Sequence, residues 1–281
     1  MSNPSDNFDP EDFDFPMLNR FSRDVRTLTV ELDSRSAREV VDAYYNLQEN
    51  RIAFAAQARE LEKAGSPFEL VNFLAANLSY MEKSLKNPLQ AYAQNSVVGS
   101  WAMSQYGIGP VLAAGLLAHI DITKAPTAGS VWRYAGLDPT IVWEKGQKRP
   151  YNAELKTLCW KIGQSFMKFS GKDECFYGKL YRQDKERRVA KNDAGDYSEF
   201  AKSILQTKNF KENKTRQTLE SGKLSDAQID AQARRFAVKI FLSHYHAVAY
   251  QDYHNTPAPR PYIIEHGGHV HEIAIPNNPF L

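Results

Sequence analysis

Three serines stand before long apolar runs, each with Glu or Gln three residues on: Ser36 with Glu39, Ser66 with Glu69, and Ser225 with Gln228. That spacing is the capping box, in which the serine side chain and the acid or amide satisfy each other's backbone donors at a helix start. Behind Ser36 the apolar set Val40, Val41, Tyr44, Leu47, Ile52, Phe54, Ala55, Ala58 and Leu61 recurs at roughly helical spacing, and Gly65 closes it. A helix of about 28 residues without a kink residue predicts a coiled-coil-like arm. Behind Ser66, Pro67 takes the first helical position and apolar residues continue to about Lys86, after which Pro88 opens another helix. Behind Ser225 the set is Ile229, Ala233, Phe236, Ala237, Ile240, Phe241, Tyr245 and Val248. Further helices are expected after Pro126 and Asn152, whereas residues 192–224 are polar and weakly periodic. The end differs in kind: Tyr262–His266 and His269–Ile275 flank Gly267-Gly268, the pattern of a β-hairpin.

Charge divides the chain more than its net of +2 suggests. Residues 1–34 carry 8 acidic against 3 basic side chains, a balance of −5, and residues 141–190 carry 12 basic against 6 acidic, a balance of +6. A solvated helix face accounts for many charge runs, but a basic block beside an acidic tail also suits a polyanion. With 281 residues, 42% of them hydrophobic, the chain is long enough to bury a core and too apolar to be mainly disordered. No apolar run approaches a membrane span or a secretory leader. Cys159 and Cys175 are too few for a disulfide framework or a four-cysteine zinc site, so a reducing cytoplasm is the expected compartment.

The most specific segment reads Tyr106-Gly107-Ile108-Gly109-Pro110-Val111-Leu112-Ala113-Ala114-Gly115. An apolar helix enters a Gly-Ile-Gly turn and a small-residue helix leaves it, which is the helix–hairpin–helix pattern. Gly107 and Gly109 permit a tight turn, Ile108 plugs the angle between the helices, and the second helix presents free amides near Val111 to a phosphate. Such a module grips the backbone of DNA without reading bases. An ordinary helical pair with a glycine turn is the competing reading. Downstream, Lys145, Lys148, Arg149, Lys156 and Lys161 would hold the adjoining backbone.

The stretch from Tyr106 to Pro139 resembles the carboxy-terminal domain of insertion-sequence transposases of the DEDD-plus-serine type, the bridge-RNA-guided recombinases. That domain also has a Gly-Ile-Gly-Pro hairpin, an Ala/Leu-rich helix, an Asp near its end, and an aromatic-Ala-Gly-Leu-x-Pro signature. Here the counterparts are Gly107–Pro110, Asp121 and Tyr134-Ala135-Gly136-Leu137-Asp138-Pro139. The resemblance covers residues 100–165 well and 36–99 more loosely. It implies DNA binding in a mobile-element or phage recombination setting. Two family features have no counterpart. The family's RuvC-like domain with four metal-binding carboxylates does not fit in the roughly 35 residues before the arm. Its nucleophilic serine after the Gly-Leu-x-Pro signature is replaced by Thr140 as the only nearby hydroxyl, with no evident activating base.

The resulting expectation is a mostly α protein: a helical arm or bundle with an embedded helix–hairpin–helix DNA-binding module and a C-terminal β-hairpin. Its segments are an acidic flexible tail (1–34), the arm (35–98), the transposase-like domain (99–170), a basic helical extension (171–255) and a hairpin tail (256–281). Partners are expected to be DNA, branched DNA included, or structured RNA, and further copies of the chain through the arm; no membrane, cofactor, metal or catalytic residue is expected. An active transposase or recombinase subunit with a shared or non-standard active site is the first alternative. A structural or interaction protein is the second. Tyr177, Tyr181, Trp132 and Trp143 lie among basic residues and are candidates for stacking on bases, with core the expected role for Trp132. His244 and His246 read as a core or surface pair. His266, His269 and His271 are donor types that zinc accepts, but their spacing is not that of a closed site.

Overall fold

The computed structural model describes residue 24 and residues 32–66, 68–144, 146–207, 210–260 and 273–281. The protein is mostly helical. The helices are α1 (Ser34–Lys63), α2 (Glu69–Gln94), α3 (Val97–Ser104), α4 (Pro110–His119), α5 (Ala128–Tyr134), α6 (Ala153–Lys168), α7 (Phe176–Asp193), α8 (Ser198–Thr207), α9 (Lys214–Glu220) and α10 (Asp226–His254). A 3-10 turn, Ile122–Lys124, lies between α4 and α5. No strand occurs among the described residues, and most of the expected hairpin, 262–272, lies outside them; residues 273–275 are irregular. No helix among the described residues is long and apolar enough to cross a membrane.

Contacts divide the chain into two units, and the division does not follow the boundaries expected at 98/99 and 170/171. One unit holds the described residues up to Met103 together with Gly109–Asp121; the other holds Ser104–Ile108 and the described residues from Ile122 onward. Helix α4 thus packs with the arm, and the turn before it packs with α6.

In the first unit α1 and α2 run along each other, and α4 packs on both. The start of α1 lies earlier than the Ser36 box predicts. Asp33 is the cap, its Oδ1 accepting the Ser36 N–H at 2.7 Å, so a carboxylate three residues upstream takes the donor that the Ser36–Glu39 box was expected to satisfy. The Ser66 box also fails. Gly65, at φ +69°, and Ser66 close α1 instead: their N–H groups donate to the Glu62 and Leu61 carbonyls. With Ser66 spent on that stop, α2 starts only at Glu69, after an extended Phe68 that offers no side-chain cap. Pro88 does not open a new helix either; it lies inside α2, where neighbouring Leu85 and Leu89 pack on the cluster of Val41, Tyr44, Val111 and Ala114. That tertiary packing outweighs one lost backbone bond.

Gly99 sets how closely α3 can approach its neighbours. A Cβ there would lie 2.2 Å from the Ala93 carbonyl oxygen and 2.7 Å from Leu117 Cδ1. Gly99→Ala is expected to lower stability by about 1–3 kcal/mol, through forced backbone movement. Chemical denaturation checks this, and an unchanged midpoint would mean the α3 backbone yields freely.

In the second unit α10 is the axis, with α5, α6, α7 and the 3-10 turn packed around it. Its Ser225 cap behaves as predicted, accepting the Gln228 N–H. Phe166 stacks on Tyr177 at 5.0 Å between centroids and meets Phe241 edge-on at 5.6 Å. Gly163 lets α6 close on α10, since a Cβ there would touch Val238 and Arg234. The weakly periodic stretch forms α8 and α9, which bury Ala201 and Leu219 with Leu224 and Ile229. Buried Asn192 exchanges two hydrogen bonds with the Leu224 backbone, at 2.9 and 3.1 Å, and so holds a loop that lacks helical bonds of its own.

Candidate nucleic-acid interface

The four turn residues named from sequence divide between the units. Gly107 and Ile108 belong to the second. Gly107 has φ +98°, a conformation that favours glycine, and Ile108 is buried, its N–H donating to the Gln105 carbonyl at 2.9 Å. The Ser165 hydroxyl donates to the Gly107 carbonyl at 2.6 Å, and the Cys175 thiol to that of Tyr106 at 3.4 Å. Tyr106 meets Phe169 edge-on. The turn is therefore pinned by the end of α6 and the start of α7.

Gly109 and Val111 belong to the first unit. Gly109 is the extended N-cap of α4 with no side-chain cap, and Pro110 follows at the first helical position. A Cβ on Gly109 would meet nothing within 4 Å. The Val111 side chain is spent on the arm cluster with Val41, Tyr44, Leu89 and Ala114, so only its backbone amide remains for a ligand.

The second unit concentrates cationic and aromatic side chains around residues 132–160. Gly136, at φ +66°, ends α5, and the chain returns to α6 under Tyr151, whose ring would lie 2.9 Å from a Cβ at Gly136. Asn152 caps α6 by accepting the Leu155 N–H, and its Nδ2–H donates to the Tyr134 hydroxyl at 3.0 Å. The Tyr134-Ala135-Gly136 part of the sequence signature is thereby tied to the start of α6. Lys148, Arg149 and Lys156 are exposed, and none of them forms an ion pair among the described residues. Arg149 lies over Trp143 at 6.0 Å and Lys156 over Tyr151 at 4.1 Å. Lys161 is partly buried and engaged within the chain, and Lys145 lies outside the described residues.

Sequence reasoning missed Trp160, Arg133, Arg235 and Lys239 in this region. Trp160 is 60% exposed and lies one turn from Lys156 on α6, whereas Lys161, five residues from Lys156, falls on a different face. A tryptophan opposite the apolar set Leu155, Leu158, Ile162 and Phe166 was the available signal. Lys239 stacks on Trp132 at 4.1 Å and accepts the Trp132 indole N–H at its carbonyl. Burial lowers the Lys239 pKa, against the opposing pull of Asp138. No local pattern in the sequence links residues 132 and 239. Of the proposed stacking aromatics, Tyr177 and Tyr181 are buried and offer no face to a base, Trp132 is partly buried, and Trp143 is exposed.

Thr140 does have a carboxylate beside it. Both its N–H and its hydroxyl donate to Asp138 Oδ1, at 2.9 and 2.7 Å. Those two bonds hold the Asp138 carboxyl below its usual range, which makes it a weak base for activating a hydroxyl. The geometry is that of a side-chain-capped turn. Both histidines of the 244/246 pair are buried. Among the described residues no group of three His, Cys, Asp or Glu side chains could hold a metal ion; His266, His269 and His271 lie outside those residues. No protein-family model matches the chain, and neither a curated protein nor a solved structure does.

Proposed function

We propose that the chain binds nucleic acid through its sugar-phosphate backbone, with weak sequence selectivity, as a transposase-like module in a mobile-element or phage recombination setting. The observation that carries this reading is the cationic surface of the second unit. Lys148, Arg149 and Lys156 stand exposed and form no ion pair among the described residues, and Arg149 and Lys156 each have an aromatic ring beside them. Gly107 and Ile108 contribute the pinned turn of that unit. In the first unit, the uncapped start of α4 at Gly109 and Val111 supplies a helix terminus suited to an anion. The resemblance over residues 100–165 supports duplex or branched DNA as the target, with structured RNA as the other candidate. The arm, with Ile52, Phe68, Leu70 and Phe73 exposed, is the proposed surface for self-association.

The test is a titration of the full chain against duplex DNA, four-way-junction DNA and structured RNA at two salt concentrations, with and without magnesium. Affinity is expected to fall steeply with salt, and Lys148→Glu with Arg149→Glu to weaken all targets together by about tenfold or more, as loss and reversal of phosphate contacts predicts. A flat salt response would remove the phosphate-contact reading. Magnesium-dependent cleavage would instead make the chain a recombinase subunit and give Thr140 a role that its present hydrogen bonds do not suggest.

A further inference from the structure

The second unit contains a pocket whose chemistry goes further than a phosphate track. It lies between α6 and α10, with a volume of about 150 Å³, and its floor is apolar: Leu137, Cys159, Gly163 and Val238. Its rim carries Lys156, Trp160, Arg234 and Arg235. The volume matches a cavity for one aromatic ring and is too small for a bulky cofactor.

Its charges are unequal in their partners. Two carboxylates of this unit are already committed: Asp184 pairs with Arg187 and Arg188, and Asp230 with Lys185 and Arg234. Arg235 forms no ion pair among the described residues. It reaches solvent, yet burial of its guanidinium, with Arg188 and Arg234 nearby, lowers its pKa from the ordinary arginine value. Arg234 Nε is buried and, though 2.8 Å from Asp230 Oδ2, makes no aligned hydrogen bond. An apolar floor, an exposed indole at the edge and a surplus guanidinium beside an ammonium together complement a flat ring that carries a negative charge. A base stacks on an indole, and a phosphate matches the donor fork of arginine.

We propose that this pocket receives one unstacked nucleotide, its base against Trp160 over the apolar floor and its phosphate at Arg235 and Lys156. The inference rests on the nucleic-acid reading for its biological source, an unpaired or splayed nucleotide within a strand. It predicts that the chain prefers single-stranded or branched targets, which offer such a nucleotide, over blunt duplex, which does not.

The probes are a short DNA strand with one central 2-aminopurine, the same strand annealed into blunt duplex, and free deoxyadenosine 5′-monophosphate as competitor, all with the full chain. Stacking on Trp160 should quench the 2-aminopurine fluorescence of the single strand on binding. Trp160→Ala, at an exposed position, should abolish the quench. Arg235→Gln should weaken single-strand binding and competition by the monophosphate by about tenfold, and Arg235→Lys should restore part of each. Salt-sensitive duplex binding without a quench, or a quench that survives Trp160→Ala, overturns the pocket and leaves the backbone reading standing. Loss of all strand binding, with the free nucleotide still bound in a Trp160-dependent way, overturns the backbone reading and keeps the pocket. Binding of neither overturns both.

Discussion

Glu82→Ala is expected to cost the first unit about 3–5 kcal/mol, the usual penalty for removing one partner of a buried ion pair. Glu82 is 5% exposed, and three side chains converge on it from α1. Tyr44 Oη donates to Oε1 at 2.8 Å, Gln48 Nε2 donates to the same oxygen at 3.0 Å, and Arg51 Nε donates to Oε2 at 2.5 Å. Burial pushes the Glu82 carboxyl up, but the bonds from Arg51, Tyr44 and Gln48 outweigh it and hold it below the ordinary glutamate range. Alanine leaves three donors without their acceptor, one of them on Tyr44, which is buried in the core cluster of this unit. Glu82→Gln keeps one acceptor oxygen and the volume, so it should cost clearly less than alanine. Urea denaturation of both variants tests the ordering. Equal losses would mean that volume, and not the carboxylate, holds the seam; a loss under about 1 kcal/mol for alanine would mean that water replaces the acid without strain.

That network also marks where sequence reading ran out. The helical class and some helix ends were legible because they depend on neighbours in the chain: periodic apolar positions, Ser225 as a cap and Gly65 as a stop. The starts of α1 and α2 were misread because two local signals competed for the same residues. Asp33 outbid Ser36, and the C-terminal motif of α1 took Ser66. Pro88 was misread because a local rule met a tertiary fact, the packing of Leu85 and Leu89 on α1. The candidate interface was legible in its exposed cations Lys148, Arg149 and Lys156, which share one stretch of chain. It was not legible in Arg235 and Lys239, which come from α10 and meet residues 132–160 only after folding. The division of the glycine turn between two packing units was equally beyond reach. Nothing in the residues 104–111 states that Ile108 is buried in one unit while Val111 packs in the other.

The second large effect is a loss of stability in mild acid, centred on His244. The ring is buried in α10 and bonded at both nitrogens: Nδ1 is 2.8 Å from the Tyr177 hydroxyl and Nε2 is 2.9 Å from the Ile273 carbonyl. A carbonyl can only accept, so Nε2 carries the proton and Nδ1 accepts from Tyr177. The neutral ring satisfies both partners, and the charged ring would sit among Phe176, Tyr177 and the rest of a buried aromatic cluster. Burial accordingly pushes the His244 pKa down to about 4, against a smaller upward pull from the Ile273 carbonyl. The unfolded chain binds this proton near the ordinary value of about 6.5, and the folded chain does not until about 4. Between those values the unfolded state holds more protons, so stability falls as pH falls, by about 3 kcal/mol across the window. Buried His246, its Nε2 2.8 Å from the Ala125 carbonyl, is lowered mainly by burial too and adds a loss of the same sign. The carboxylates held low, Glu82, Asp138 and Asp230, withdraw their contributions as pH falls through the acid range below the ordinary carboxylate values, so the two effects separate. His244→Gln removes the titrating ring and keeps a donor and an acceptor. Whatever its cost at neutral pH, it should flatten the slope of stability against pH between about 4 and 6.5, leaving the His246 share. If the variant keeps the full wild-type slope in urea melts across that range, His244 is not the group that takes the proton.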